Sequence, residues 1–295
     1  MPQNSLPLAS IIMPSFNQAS FIAESVESVL SQSYRNLELI VADGGSTDGT
    51  PDWLSQKSRQ DARLKWFSGP DTGPANALNK ALKTVRGTLI GWLNSDDVYT
   101  PDSIQRAVNA LLAEPAWLMV YGHGEHIDEY GRFIEAYPTR LPSTPIAEFA
   151  NQCFICQPTV FFKRSMAVLL GPLDETLKTA FDFDYWLRAF VRFPARIGFV
   201  DAVQARSRLH AQCITRTLRR CVTEESMRVI AQHLGSAPEH WIITYMTEAQ
   251  RECALSDSNA TLDLEAIAES VYPYMSESAV RRLQSRLNNR RRGLE

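Results

Sequence analysis

Four short apolar runs, at residues 8–13, 37–42, 64–67 and 88–93, each break off into a polar or glycine-rich loop, and a helical segment follows each of them. After the first, Phe21, Ile22, Val26, Val29 and Leu30 recur at helical spacing, with Ser20 placed to cap them. Thr50-Pro51-Asp52 supplies N-cap and first-turn chemistry after the second run, and Ala77, Leu78, Ala81, Leu82 and Val85 form one face after the third, ended by Gly87. Thr100-Pro101-Asp102 marks a helix start after the fourth. Parallel strands need crossovers long enough to hold a helix, so this alternation over the first ~110 residues predicts a mostly parallel sheet covered by helices. Ligands of such sheets sit beyond the carboxyl ends of the strands, where loops and helix N-termini converge.

Carboxylates gather at those ends: Asp43, Asp71, Asp96 and Asp97. Adjacent Asp side chains repel one another unless water, donors or a cation compensates them. Asp96-Asp97 therefore reads either as a site for a divalent metal carrying a phosphate or as acids that suit the dipole of the next helix. With four acids on one rim the second reading becomes hard to extend to all of them.

The remainder is less regular. Residues 122–137 look like a hairpin or a long loop turning at Asp128-Glu129-Tyr130-Gly131, and residues 157–162 are a β-rich run. Phe181-Asp182-Phe183-Asp184-Tyr185-Trp186-Leu187-Arg188 opens an aromatic helix with Asp182 near its first turn. Two short strands, at 196–200 and 205–209, lead to His210, and from about Arg216 the pattern is helical and more polar. Six Arg and no acid lie between Arg281 and Arg292, reading as a solvated helix end or as a patch attracted to anionic lipid.

A formal net charge of -3 argues against a general nucleic-acid binder. No apolar run reaches the ~18 residues that span a bilayer, and residues 1–5 lack the basic flank of a secretion signal. Five scattered cysteines make no disulfide framework, so a cytoplasmic setting is expected, with Cys153 and Cys156 as packing residues.

Pro14-Ser15-Phe16-Asn17, Asp43-Gly44-Gly45-Ser46-Thr47-Asp48-Gly49-Thr50, Asp71-Thr72-Gly73, Ala77-Leu78-Asn79-Lys80, Asn94-Ser95-Asp96-Asp97, the Asp182–Arg188 segment and Arg208-Leu209-His210 stand in an order that resembles the inverting GT-A glycosyltransferases of family 2, builders of bacterial surface polysaccharides. The resemblance covers roughly residues 8 to 212. It implies a GT-A, Rossmann-like α/β fold with a catalytic domain at 1–212 (a nucleotide-sugar half at 1–112, an acceptor half at 113–212) and a helical extension at 213–295.

It further implies a nucleotide-sugar donor, UDP-linked by expectation, and a glycan or lipid-linked acceptor. Pro14, Ser15, Phe16, Asn17 and Asp43 would wall the base pocket, Asp71, Asn79 and Ser95 would belong to the donor site, and Asp96 would face the ribose. Asp97 with His210 would hold Mn²⁺ or Mg²⁺, and Asp182 would be the base, with Asp184 its rival. Two departures stand out: the second acid that many relatives carry after Asp43 falls on Gly44, and Phe181 replaces an acid before Asp182. A sugar nucleotidyltransferase and an inactive nucleotide- or glycan-binding module are the alternatives; the first is expected to show a basic, glycine-rich loop where this chain has Pro14–Asn17. The arginines Arg281, Arg282, Arg286, Arg290, Arg291 and Arg292 would supply a peripheral membrane contact.

Overall fold

The computed structural model describes residues 6–255 and 264–291. The amino-terminal residues 1–5 and Arg292 lie outside them. The chain divides into two compact units, Met1–Thr144 with Phe154–His210 and Pro145–Cys153 with Ala211–Glu295.

The first unit is built on one sheet. Strands β1 (Ala9–Ser15), β2 (Leu37–Asp43), β3 (Leu64–Ser68) and β4 (Leu89–Trp92) alternate with helices α1 (Ile22–Leu30), α2 (Thr50–Gln60) and α3 (Pro74–Leu82), and β5 (Val98–Tyr99) leads into α4 (Ser103–Ala113). β3, β2, β1 and β4 lie side by side and parallel, as the alternation predicts. Every residue of β1, β2 and β4 is buried, which is why these runs read as apolar without alternation. Glu38 in the interior of β2 is charged, and its carboxylate accepts from the Ser10 hydroxyl at 2.7 Å, the Arg86 backbone N–H at 2.8 Å, Arg86 Nε at 2.9 Å and Lys65 Nζ at 3.0 Å. Burial alone would raise its pKa, but these four donors outweigh it and bring the acid down to about 2.

Beyond β4 the sheet becomes mixed. β6 (Met119–Ile127), β7 (Phe133–Ala136), β8 (Phe161–Lys163) and β9 (Ile197–Arg208) continue it in the order β4-β8-β6-β9-β5, with β7 paired to β6. β8 is antiparallel to β4 and β6, whereas β6 and β9 are parallel, and helices α5 (Arg164–Leu170) and α6 (Phe181–Arg192) come between β8 and β9 in the chain. The hairpin expected at 122–137 forms from β6 and β7.

Several local expectations are corrected. The two strands read at 196–200 and 205–209 are one strand, β9, which keeps its pairing with β6 through register shifts around His123 that absorb the polar interruption at Asp201. Within 157–162 the first three residues form a 3₁₀ turn, since Pro158 has no N–H to give a ladder and the Thr159 hydroxyl turns back to the Cys156 carbonyl at 2.7 Å. Helix α1 starts at Ile22 without a side-chain cap, so Ser20 does not serve as one. Helix α4 starts at Ser103 after Asp102 in the left-handed region (φ 64°), while the Thr100 hydroxyl donates to the Val203 carbonyl at 2.5 Å. Thr100 thus fastens β5 to β9 instead of capping the helix. Cys156 is buried, as its packing reading expects.

The second unit is helical: α7 (Ile214–Thr217), α8 (Arg219–Leu234), α9 (His240–Leu255), α10 (Leu264–Glu269) and α11 (Glu277–Arg291). The segment Pro145–Cys153 joins it because Trp241 Nε1 donates to the Ala150 carbonyl at 2.7 Å and the His240 ring bonds the Asn151 carbonyl at 3.1 Å. On α11, Leu283 and Leu287 are buried, Arg281 pairs with Glu277 and Arg282 with Glu239, and Arg286 is exposed. No helix of the described residues is long and apolar enough to cross a membrane.

Candidate active site

With strand order 3-2-1-4, the chain turns from one side of β1 to the other, and the ground beyond the carboxyl ends at such a switch is where sheets of this kind bind ligands. Pro14 and Ser15 close β1 opposite Ala42 and Asp43 of β2. Phe16 is 60% exposed at the rim. Asn17 adopts a left-handed φ of 52°, which asparagine tolerates, and braces two loops: its N–H donates to Ser46 Oγ at 2.7 Å and its Oδ1 accepts from the Thr47 N–H at 2.9 Å. Asp43 is buried and heavily engaged, with Oδ2 taking the Gly45 and Ser46 N–H groups (3.2 and 3.0 Å) and the Ser68 hydroxyl (2.6 Å) while Oδ1 takes the Ser46 hydroxyl (2.5 Å). A cavity beside it is lined by Asp43, Ser68, Asp71 and Lys80 among others. Lys80, not among the site residues expected from the sequence, belongs to this lining and donates to the Pro70 carbonyl at 3.1 Å.

Asn79 does not join them. Its Nδ2 donates to the Leu173 carbonyl and to Glu175, at 3.0 and 2.8 Å, and its Oδ1 accepts from the Leu173 N–H at 3.0 Å. Both ends of the amide staple α3 to this segment, so its expected place among donor-contacting residues is withdrawn.

The acids after β4 are unequal. Asp97 is almost fully enclosed, its Oδ1 accepting the Arg208 backbone N–H at 2.9 Å and its Oδ2 the Asn94 amide at 3.2 Å. Burial, and then the negative charge of Asp96, push its pKa well above the usual carboxylate range. The Asp96 side chain keeps 18% of its surface exposed and lies 3.0 Å from His210 Nε2. His210 therefore pairs directly with Asp96. Its ring also lies 4.7 Å from that of Phe21. Ser95 is buried between these groups in the chain.

Two further residues organise this loop. Asn94 receives the Trp92 indole N–H at 3.0 Å and donates to both Asp97 and Gln157. Arg208, with 1% of its side chain exposed, donates to the Asp96 carbonyl, to the Asp128 and Glu129 carbonyls of the β6–β7 turn, and to Glu24. The sequence offered Arg208 only as part of an Arg-x-His pattern.

Helix α6 (Phe181–Arg192) carries Asp182 in its first turn. Phe181 stacks on Trp92 of β4 at 5.6 Å and Trp186 packs against the same ring at 5.9 Å, so one aromatic cluster ties the helix to the strand that ends at the acidic pair. Burial pushes Asp182 up to about 6, against an N–H bond from Phe183 at 2.7 Å. Asp184 is buried and paired with Arg188 at 2.8 Å, and Arg188 also donates to the Leu170 and Pro172 carbonyls. That is a structural ion pair, and Trp186 is fully buried in the core.

Among the described residues no three of His, Cys, Asp and Glu stand together as a complete metal cage. The donor set still fits a hard divalent cation. Such ions commonly take one or two carboxylates and complete their shell with substrate phosphates and water, and an enclosed carboxyl beside a second acid is the environment a cation relieves.

Carboxylates gathered at the strand ends of a parallel sheet extended by antiparallel strands define the GT-A class of transferase fold. The model for glycosyl transferase family 2 matches residues 10–170, more than half of the chain, and the chain belongs to that family. An uncharacterized glycosyltransferase of Rickettsia typhi is 30% identical over 229 residues, 74% of this chain and 69% of its own length. Three further Rickettsia glycosyltransferases match while this chain spans only 30–35% of their length. Escherichia coli chondroitin synthase is 30% identical over 62% of this chain and 26% of its own. Among solved structures, residues 1–349 of S. aureus TarS in complex with UDP-GlcNAc superimpose with a TM-score of 0.60, 18% identity and coverage of 90% of this chain and 71% of that one. A mannosyltransferase from Pyrobaculum calidifontis in complex with GDP-Man and Mn²⁺ gives 0.61, 19%, 90% and 80%.

Proposed function

We propose that the protein moves one sugar from a UDP-linked donor to a hydroxyl of a glycan or lipid-linked acceptor, with inversion at the anomeric carbon. The observation that carries this reading is Asp182: a carboxyl raised to about 6, on a helix stacked against the strand that ends at Asp96-Asp97. Residues 1–112 form the nucleotide-sugar half and residues 113–212 the acceptor half, with 213–295 a helical extension. Asp71 and Lys80 line the nucleotide side with Phe16 and Gly44 beside Asp71, and Asn17 and Asp43 hold its loops in place. Asp97 and His210 would hold Mn²⁺ or Mg²⁺, and Asp96, the more exposed acid, faces the ribose. When bound, the cation supplies Lewis-acid neutralisation of the leaving diphosphate. Asp182 takes the proton of the attacking hydroxyl on the opposite face, and a base near pH 6 is ionised at neutral pH while still basic enough to accept it. UDP-GlcNAc in one structural neighbour and GDP-Man with Mn²⁺ in another support the donor class and the metal. The likeness to a chondroitin synthase supports a role in building a cell-envelope glycan in the cytoplasm, with Arg281, Arg282, Arg286 and the arginines beyond them as a peripheral membrane contact.

A panel of nucleotide sugars assayed with Mn²⁺, Mg²⁺ or EDTA tests the reading. Metal-dependent release of nucleotide from at least one donor is expected, and no release from any donor with either metal overturns it.

A further inference from the structure

The glycine after Asp43 is not there for its backbone freedom, since Gly44 is absent from the residues with positive φ. It is there for space. A Cβ at Gly44 would lie 2.7 Å from Asp71 Oδ2, 3.2 Å from Asp71 Cγ and 3.3 Å from the Phe16 ring. The Asp71 carboxylate, arriving from the end of a different strand, thus occupies the ground that a side chain at position 44 would fill.

The other acid at this place is already committed, because Asp43 spends both oxygens on four donors of its own loops. Asp71 spends one: Oδ1 accepts the Gly73 N–H at 2.9 Å, and among the described residues Oδ2 accepts no hydrogen bond. Asp71 lines the cavity next to the exposed Phe16 ring, so its second oxygen is presented to whatever lies there. A carboxylate oxygen only accepts, so the facing edge of a ligand must donate. Uracil and guanine carry a ring N–H on that edge. Cytosine and adenine carry a ring nitrogen lone pair in its place, which a carboxylate repels.

We propose that Asp71, seated against Gly44, reads the base of the donor and selects nucleotides whose base carries a ring N–H. The assignment rests on the donor-site reading above and gives a role to the departure at Gly44, where many relatives carry a second acid. Asp71→Asn is the informative variant, because the amide keeps an oxygen for the Gly73 N–H and can turn its NH₂ toward a ring nitrogen. Gly44→Ala is the second, displacing the carboxylate without removing it.

Binding of UDP, GDP, CDP and ADP in the presence of Mn²⁺ is measured by calorimetry for the three proteins. The wild type is expected to favour the better of UDP and GDP over both CDP and ADP by about 10- to 100-fold, the range of one hydrogen bond to a charged group. Each variant is expected to narrow that ratio to within about threefold. A variant that stays folded and keeps the wild-type ratio overturns the assignment, as does a wild type that shows no preference or favours CDP or ADP. A wild type that binds none of the four refutes the donor-site reading itself.

Discussion

Replacing Asp182 by asparagine is expected to stabilise the protein while stopping transfer. In the fold the carboxyl is raised from its ordinary 3.8 to about 6, with burial as the cause. A shift of roughly two units, at about 1.36 kcal/mol each, means that holding this group ionised near pH 7.5 costs the folded state up to ~3 kcal/mol. The first turn of a helix favours a negative charge by only about 0.3–1 kcal/mol, too little to reverse the sign. Because the folded pKa lies above the unfolded one, the stabilisation from the protonated form is complete below about pH 4 and is lost as pH rises through 6. Asparagine carries no charge and can still accept the Phe183 N–H, so the variant escapes the loss. Thermal unfolding in EDTA should show Asp182→Asn melting roughly 5–10 °C above wild type near pH 7.5, with the free-energy gap falling to about half at pH 5. Transfer should fall by about 10²- to 10⁴-fold with donor affinity nearly unchanged. A variant no more stable than wild type near pH 7.5, or a gap that ignores pH, would refute the argument that burial sets this group. Near-normal turnover would show that another group is the base.

Asp97→Ala should abolish metal-dependent binding of a UDP-sugar, and unchanged Mn²⁺-dependent affinity by calorimetry would overturn its role as ligand. Asn79→Ala breaks three hydrogen bonds between α3 and the 173–175 segment. It should lower stability by ~2–3 kcal/mol and leave UDP affinity intact; lost affinity at an unchanged melting temperature would return Asn79 to the donor site. Removal of residues 281–295 should weaken flotation with anionic vesicles, each basic residue near the surface contributing about 1 kcal/mol. Two of those arginines already hold ion pairs with Glu277 and Glu239, and equal flotation with and without the segment sinks the membrane contact.

The parallel half of the sheet was legible because β1, β2 and β4 are buried throughout and every one of its strands gives way to a polar or glycine-rich loop. What escaped depends on partners far away in sequence. Asn94 sits in a recognisable motif, but its bond to Gln157 spans 63 residues. Nothing local separates Asn79, turned to Leu173 and Glu175, from Lys80, which reaches the cavity one residue later. The pairing of His210 with Asp96 needs the full course of β9, whose shifted register a reading by periodicity splits into two strands. Gly44 was visible as a departure from pattern, yet its meaning required seeing Asp71 against it.

Strand β2 raises a different problem. A central strand with both faces apolar has no alternation of polar and apolar residues to pin its alignment, so a slip by one residue would bury much the same surface. Its two acids remove that ambiguity. Glu38, near one end, is held by Ser10, Arg86 and Lys65, and Asp43, at the other, by Gly45, Ser46 and Ser68. A one-residue slip would strip both carboxylates of their donors at once, inside the protein, where an unpaired charge is least tolerated. The charge at the back of the sheet thereby sets the position of the loop at its front, and with it the place where Gly44 meets Asp71.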